Sequence, residues 1–207
     1  FALIGCKVPT ITLTSSGTKG AITLSWEISD AKDVNSYYIY RGTSPTSLTK
    51  IATVAAPGNT YTDTAVADGV LYYYHVTAFG RKESKPSNQV CNMHGTRLTG
   101  ADTNPYFTAT VDNSPYVIEG NVSLTGDLYI LENTQLYVLP GARVVFSATE
   151  TTSIYVSGGL IAAKGLQSNP IYFSSTGGGY ELRIVAAAEG SGFDYTEFKD
   201  LAGSIDS

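Results

Sequence analysis

The second half of the chain repeats one short pattern, and this repeat constrains the fold more than any other feature. Three units each contain an apolar segment that ends in glycine and then a second apolar run: Leu136–Gly141 with Val144–Phe146, Leu160–Gly165 with Ile171–Phe173, and Val185–Gly190 with Tyr195–Phe198. The glycines Gly141, Gly165 and Gly190 are 24 and 25 residues apart. Strand pieces this short can form successive sides of a coil whose like sides stack in parallel, with glycine supplying the bent backbone at each corner. The repeat therefore predicts a β-solenoid.

The sequence of this segment resembles the N-terminal coils of right-handed parallel β-helix domains in bacterial surface and secreted proteins. The likeness consists of an apolar strand, Pro-Gly and a second apolar strand over Leu136–Phe146, and of Gly-Leu-Ile-Ala-x-Gly followed by Asn-Pro-Ile-x-Phe over Gly159–Phe173. The resemblance implies about three to four coils, each of which buries its apolar residues against its neighbours. The C-terminal residues Leu201–Ser207 carry no evident polar cap. We therefore expect either that the chain continues beyond Ser207 or that the last coil pairs with a protein partner or with a second copy.

Short segments of alternating apolar and polar residues, separated by turn residues, fill the first half of the chain. Ile22, Leu24 and Trp26 alternate in one such segment, and the alternation continues in Tyr37–Arg41 and Tyr72–Ala78. A period of two residues over short segments is typical of strands that bury one face. Because Pro, Gly and Asn separate the segments, the pattern predicts a small antiparallel sandwich.

The order and spacing of these segments resemble the fibronectin type III domain. The likeness depends on the strand of Trp26 and on Tyr37–Arg41, Tyr61–Asp63 and Gly69–Ala78. It implies seven strands in two sheets, with Tyr72 as the tyrosine-corner residue whose hydroxyl bonds to the backbone just upstream. Trp26 and Tyr72 are thus expected to be critical for the fold rather than for chemistry.

Composition supports an all-β chain and excludes a nucleic-acid partner. Hydrophobic residues make up 43% of the chain and charged residues only 15%, while tyrosine occurs 15 times. Tyrosine, threonine and aliphatic β-branched residues favour strands, and surfaces rich in hydroxyl groups rather than charges are common outside the cell. The net charge of −5 lacks the basic footprint that nucleic-acid phosphates attract. The predicted location is extracellular or on the cell surface.

The N-terminal residues Phe1–Cys6 admit two interpretations of the cysteines. Their apolar character and the spacing Leu-x-Gly-Cys resemble a bacterial lipobox, in which Cys6 would carry a lipid at the start of the mature chain. The alternative is a disulfide with Cys91, the only other cysteine in the sequence, which requires Cα atoms within about 7 Å. We favour lipid attachment at Cys6, which would link the chain to a membrane as an outer-membrane lipoprotein.

Three tyrosines of the predicted sandwich are candidates for a ligand-stacking surface. Tyr38, Tyr40 and Tyr73 are expected on solvated strand faces, where their rings could stack on a surface glycan. The alternative is ordinary cross-strand pairing on a solvated face. Because no cluster of cysteine, histidine and carboxylate residues has metal-ligand spacing, neither a metal nor a cofactor is expected.

The acidic residues of the predicted solenoid do not form a catalytic pattern. Lyases and hydrolases that act on polysaccharides with this scaffold need several acidic residues on adjacent coils, often with calcium, and a basic group. Only Asp194, Glu197 and Asp200 cluster in this sequence. One strand over Tyr195–Phe198 would direct Asp194 and Glu197 to opposite faces. The chain is therefore predicted not to be an enzyme.

The predicted organisation has four parts: an N-terminal lead at 1–8, a fibronectin-type-III-like domain at 9–95, a linker at 96–115 and parallel β-helix coils at 116–207. The favoured function is a structural or adhesive surface module that assembles through its open coil end. Two alternatives stay open. One is a carbohydrate-binding accessory module, and the other is the N-terminal part of a polysaccharide lyase or hydrolase whose catalytic coils lie beyond this sequence.

Overall fold

The computed structural model describes residues 9–99, 106–147, 152–177 and 179–201, and nearly all of its regular structure is strand. The chain divides into two compact units, one ending at Met93 and the other starting at His94. The all-β prediction is therefore confirmed. None of the residues that the structure describes belongs to a helix long and apolar enough to cross a membrane.

The first unit is an antiparallel sandwich. Its strands are β1 (Ile11–Thr18), β2 (Ala21–Ile28), β3 (Ser36–Ser44), β4 (Ser47–Ala55), β5 (Thr60–Asp63), β6 (Tyr72–Phe79) and β7 (Val90–Asn92). One sheet has the order β1-β2-β5, and the other has the order β4-β3-β6-β7. Seven strands in two sheets are what the fibronectin type III resemblance implied, and this prediction is confirmed.

Alternation in the sequence produces the sandwich core. Ile22 and Leu24 are fully buried in β2, and Trp26 is 2% exposed. The Trp26 ring lies 5.2 Å from the ring of Tyr37 in β3, measured between centroids. Each aliphatic side chain buried in this way contributes about 1.5–3 kcal/mol to stability. The predicted inward positions of these strands are therefore confirmed.

The second unit is a stack of parallel coils. Its strands are β8 (Thr96–Arg97), β9 (Tyr106–Thr108), β10 (Tyr116–Ile118), β11 (Asn121–Leu124), β12 (Asp127–Leu131), β13 (Gln135–Val138), β14 (Arg143–Phe146), β15 (Thr152–Ser157), β16 (Leu160–Lys164), β17 (Ile171–Ser175), β18 (Tyr180–Ala186), β19 (Gly192–Asp194) and β20 (Thr196–Phe198), with a 3-10 turn at Val111–Asn113. Sheet I has the order β8-β10-β13-β16-β19, sheet II the order β11-β14-β17-β20, and sheet III the order β9-β12-β15-β18. Every pairing of these strands is parallel.

The chain visits sheets I, II and III in turn, so three successive strands make one coil. β10–β12, β13–β15 and β16–β18 form three such coils, and β19 and β20 begin another. Tyr116 pairs with Leu136, whereas Ala162 pairs with Gly192, so the coil lengthens from 20 residues to 30 along the stack. The predicted parallel β-solenoid is confirmed.

Aromatic side chains stack inside the coils and join one coil to the next. The rings of Phe146 and Tyr180 lie 4.2 Å apart with an interplanar angle of 2°, and the ring of Phe173 lies 6.5 Å from that of Phe146. All three side chains are at most 2% exposed. Since each coil buries its residues mainly against its neighbours, the stability of the stack depends on these contacts between coils.

The structure differs from the predicted linker at 96–115. β8 pairs with β10 and β9 pairs with β12, so this segment already supplies strands to sheets I and III. The backbone N–H of Thr96 also donates to the carbonyl of Pro115. Strands of two and three residues are too short to show a periodic pattern, and the surrounding polar residues indicated a linker instead. The linker prediction is therefore wrong for these two strands.

The three corner glycines do not occupy equivalent positions. Gly141, with φ of 79°, and Gly165 both connect sheet I to sheet II, as the repeat predicted. Gly190 instead lies between β18 and β19, at the corner from sheet III to sheet I. Lys164 at the end of β16 pairs with Asp194 at the end of β19. The residues that follow them, Gly165 and Tyr195, therefore occupy equivalent corners in successive coils. The third unit of the predicted repeat was therefore wrong in its first segment.

Candidate assembly surface on the last coil

The sandwich tyrosines proposed for sugar stacking already have ring partners. Tyr38 is half-buried and stacks on Phe79 with centroids 5.2 Å apart, and Lys50 Nζ lies 4.0 Å from the centroid of the Tyr38 ring. Tyr40 is also half-buried and packs against His75 at 4.7 Å. Tyr40 and His75 are directly opposite in β3 and β6. Cross-strand pairing, the alternative interpretation, therefore describes these rings.

The hydroxyl of Tyr40 and that of the neighbouring Thr77 are also hydrogen-bonded. The hydroxyls of Tyr40 and Thr77 each donate to Glu83 Oε1 at 2.6 Å. The Thr77 bond, followed by the Tyr40 bond, lowers the pKa of Glu83. Tyr73 is only 6% exposed, so the prediction that it lies on a solvated face is wrong. The three tyrosines thus do not form a shared open platform.

A buried ionic cluster beneath the tyrosine corner was missed by the sequence analysis. The backbone N–H of Ala67 donates to the Tyr72 hydroxyl at 3.2 Å, where the resemblance placed such a bond. Asp63 is 2% exposed and accepts bonds from Arg41 Nη1 at 2.7 Å and from the Tyr74 hydroxyl at 2.9 Å. Burial and the nearby Asp63 carboxylate raise the pKa of Tyr74. The cluster lies inside the sandwich and does not form an open site.

Lipid attachment at Cys6, and a disulfide between Cys6 and Cys91, both lie outside the described residues because Cys6 is among the first eight. Cys91 is half-buried in β7. Across the described ranges, no three histidine, cysteine or acidic residues are grouped in a way that could hold a metal ion.

The clustered acids of the solenoid belong to two different sheets. Asp194 ends β19 in sheet I, Tyr195 turns the corner with φ of 43°, and Glu197 lies in β20 of sheet II. The prediction of one continuous strand across these residues is wrong, because a residue with positive φ interrupts it. The two carboxylates consequently lie on separate sides of the coil.

Among the described residues, the strands at the C-terminal end of the three sheets are β18, which completes the third coil, and β19 and β20, which begin the next. Residues 180–201, which contain these three strands, are called the last coil. A bridge between Tyr180 and Leu201 is the one further pairing of β18 on that side within the described residues. Terminal strands present backbone N–H and C=O groups that an added strand can pair with. Within the described part of the chain, the last coil therefore ends in three strand edges.

Exposed and half-buried apolar side chains lie on these strands and at the corner between β19 and β20. Val185 is 66% exposed and Tyr195 is 59% exposed. Phe193 and Phe198 pack against the solenoid core but are only half-buried, with their ring centroids 5.3 Å apart. Phe198 also stacks on the buried Phe173 at 5.2 Å. The aromatic stack of the interior thus continues into a layer that solvent reaches.

The rim of the last coil is acidic. Beyond β18 it carries five exposed charged side chains: Glu189, Asp194, Glu197, Lys199 and Asp200. None of the five forms an ion pair with another residue that the structure describes. β18 adds Glu181 and Arg183, whose charged atoms lie 3.9 Å apart and compensate each other. The last coil therefore combines strand edges, apolar side chains and an excess of three negative charges.

These features define an all-β protein in which a fibronectin-type-III-like sandwich precedes a parallel β-helix. No protein-family model matches the chain, and no curated sequence does. The strand pairing described above is what establishes the two modules.

Several solved structures are similar to parts of the chain. An Fn3-like protein from Clostridium thermocellum is 30% identical over 42% of this chain and 94% of its own, with a TM-score of 0.36. Pectate lyase PelI from Erwinia chrysanthemi is 15% identical over 84% of this chain and 77% of its own, with a TM-score of 0.38. A β-1,2-glucanase from Parabacteroides distasonis is 23% identical over 47% of this chain and 15% of its own, with a TM-score of 0.38.

Proposed function

We propose that the chain is a non-catalytic structural or adhesive module of the extracellular space or cell surface, and that it binds a protein partner through its last coil. The observation that carries the proposal is the coincidence of terminal strands with exposed apolar side chains on residues 180–201. Edge strands accept an added strand through main-chain hydrogen bonds, and neighbouring apolar side chains add affinity.

Other features support the structural role and the location. The acids Asp194 and Glu197 lie on different sheets, so they are not arranged as a catalytic pair. A charged fraction of 15% with many hydroxyl groups suits a surface outside the cell. Lipid on Cys6, if present, would tether the module to a membrane.

The proposal is tested by sedimentation of the full chain at about 1 M salt, where a Debye length of about 3 Å screens the acidic rim. We expect weak, concentration-dependent association under these conditions. The double substitution Val185→Ser with Tyr195→Ser removes exposed apolar surface without entering the core, and association should decrease. Val111→Ser is the matched control, because Val111 is 57% exposed in the 3-10 turn at Val111–Asn113.

The outcome that contradicts the proposal is specific to the last coil. If association is absent both at high salt and with the charge-reversed partner described below, the last coil is not a docking surface. If association decreases equally in the double variant and in the Val111→Ser control, the association does not depend on the last coil.

A further inference from the structure

We infer that the partner of the last coil is a polypeptide edge with a basic rim, and not a second copy of this chain. The inference rests on the proposed function and specifies its partner. It is argued from the charges on the last coil, since backbone edges and aromatic rings alone would accept either kind of partner.

The acidic rim opposes self-docking. Four carboxylates and a single ammonium group lie beyond β18, and all five are exposed. Two copies joined at their last coils would bring eight carboxylates and two ammonium groups into one interface. Like charges brought together in this way suppress association, and the effect is largest at low ionic strength. The rim thus acts against pairing of identical edges, a known use of charged residues at edge strands.

The same rim favours a partner that carries lysine or arginine. None of the carboxylates of Glu189, Asp194, Glu197 and Asp200 has a cationic partner among the residues described. Basic side chains on an approaching strand would form new ion pairs while its backbone extends sheet I or sheet II. Aromatic or aliphatic residues of that strand would cover the half-buried Phe193 and Phe198. The partner is thus recognised by a basic, apolar β-edge.

A charge-reversed form of this chain serves as the probe. The triple substitution Glu189→Lys, Asp194→Lys and Glu197→Lys converts the rim to four basic groups and one acidic group and leaves the apolar residues unchanged. A matched control places the same change in charge outside the last coil, at the exposed residues Glu27, Asp30 and Glu132. Mixtures with the wild-type chain are examined by sedimentation at about 0.1 M salt, where the Debye length is about 10 Å.

We expect the wild type and the reversed variant to form a mixed pair with at least about tenfold higher affinity than the wild type has for itself. The mixed pair should weaken as salt is raised, toward the weak association expected at about 1 M salt, and the control variant should not form it at low salt. If the wild type associates with itself at low salt as tightly as it pairs with the reversed variant, the inference is wrong but the proposed function is unaffected. No association in any mixture or salt would overturn both.

Discussion

Replacing Asp63 by alanine should destabilise the sandwich more than any single exposed substitution. The Asp63 carboxylate is 2% exposed and accepts bonds from Arg41 Nη1, the Tyr74 hydroxyl and the backbone N–H of Ala65. Alanine removes the acceptor for all three groups. Tyr74 is fully buried, so its hydroxyl would then have no access to water as a substitute.

The expected loss is about 4 kcal/mol. Removing one partner of a buried ion pair typically costs about 3–5 kcal/mol. The Arg41 side chain is 23% exposed and also donates to the Ala65 carbonyl, so it recovers part of its solvation. Tyr74→Phe deletes only one hydrogen bond to a charged group, which costs about 2 kcal/mol. The two variants should therefore differ clearly.

The unfolding of the sandwich can be followed separately by tryptophan fluorescence. Trp26 is the only tryptophan of the chain and is buried in the sandwich core, so its fluorescence follows the unfolding of the first unit. With an m-value of about 1.5 kcal/mol/M, a loss of about 4 kcal/mol lowers the urea midpoint by about 2–3 M. Asp30→Ala, which removes only an exposed hydrogen bond from the Lys32 backbone N–H, should cost no more than about 1 kcal/mol.

The comparison between variants can refute this reasoning. If Asp63→Ala costs no more than Tyr74→Phe, the carboxylate does not anchor the cluster. A large effect of Asp30→Ala would show that loss of any acidic residue, rather than loss of the buried acceptor, destabilises the sandwich.

Two further predictions concern other positions. Hydrogen bonds from Thr77 and Tyr40 depress the pKa of Glu83 below its ordinary 4.5. The ionised carboxylate therefore contributes to stability above pH 4.5, and this contribution is lost as the pH falls through the lower pKa of the folded state. Thermal unfolding followed by Trp26 fluorescence should thus show a deficit for Glu83→Gln at neutral pH that vanishes in acid, and a deficit independent of pH would contradict it. Gly165→Ala would drive a Cβ into the backbone carbonyls of Asp194 and Tyr195 and should cost about 1–3 kcal/mol. Far-UV circular dichroism should show no such loss for Gly192→Ala, where no atom lies within 4 Å of the added carbon, and equal losses would refute the steric argument.

Elements with a clear period were predictable from the sequence, and short elements were not. β2 alternates over eight residues, which is long enough to specify a buried face. β6 is buried on both faces, so its period identified a strand but not the burial of Tyr73. β8 and β9 contain two and three residues, so their place in the solenoid depends on pairing with distant strands. The same limit explains the misplaced third repeat, because a corner at Tyr195 leaves no glycine to mark it.

The candidate surface was predictable in position but not in chemistry. A stack of parallel coils follows from the repeat alone. The exposure of Val185 and Tyr195 depends on where β18 ends and where the chain turns, which local sequence does not specify. The Asp63 cluster was likewise hidden, since an aspartate at the end of a short strand is ordinarily exposed, and its partner Arg41 lies 22 positions earlier.

The corners between sheets I and II absorb part of the change in coil length from 20 to 30 residues. Two residues separate β10 from β11, four separate β13 from β14, and six separate β16 from β17, while the strands themselves keep three to five residues. Since the paired segments stay in register as the corners lengthen, this architecture can accept inserted peptides at a corner without disturbing the stack. Such a scaffold can acquire new loops, and new specificities with them, on one side of the coil while the interior stays unchanged.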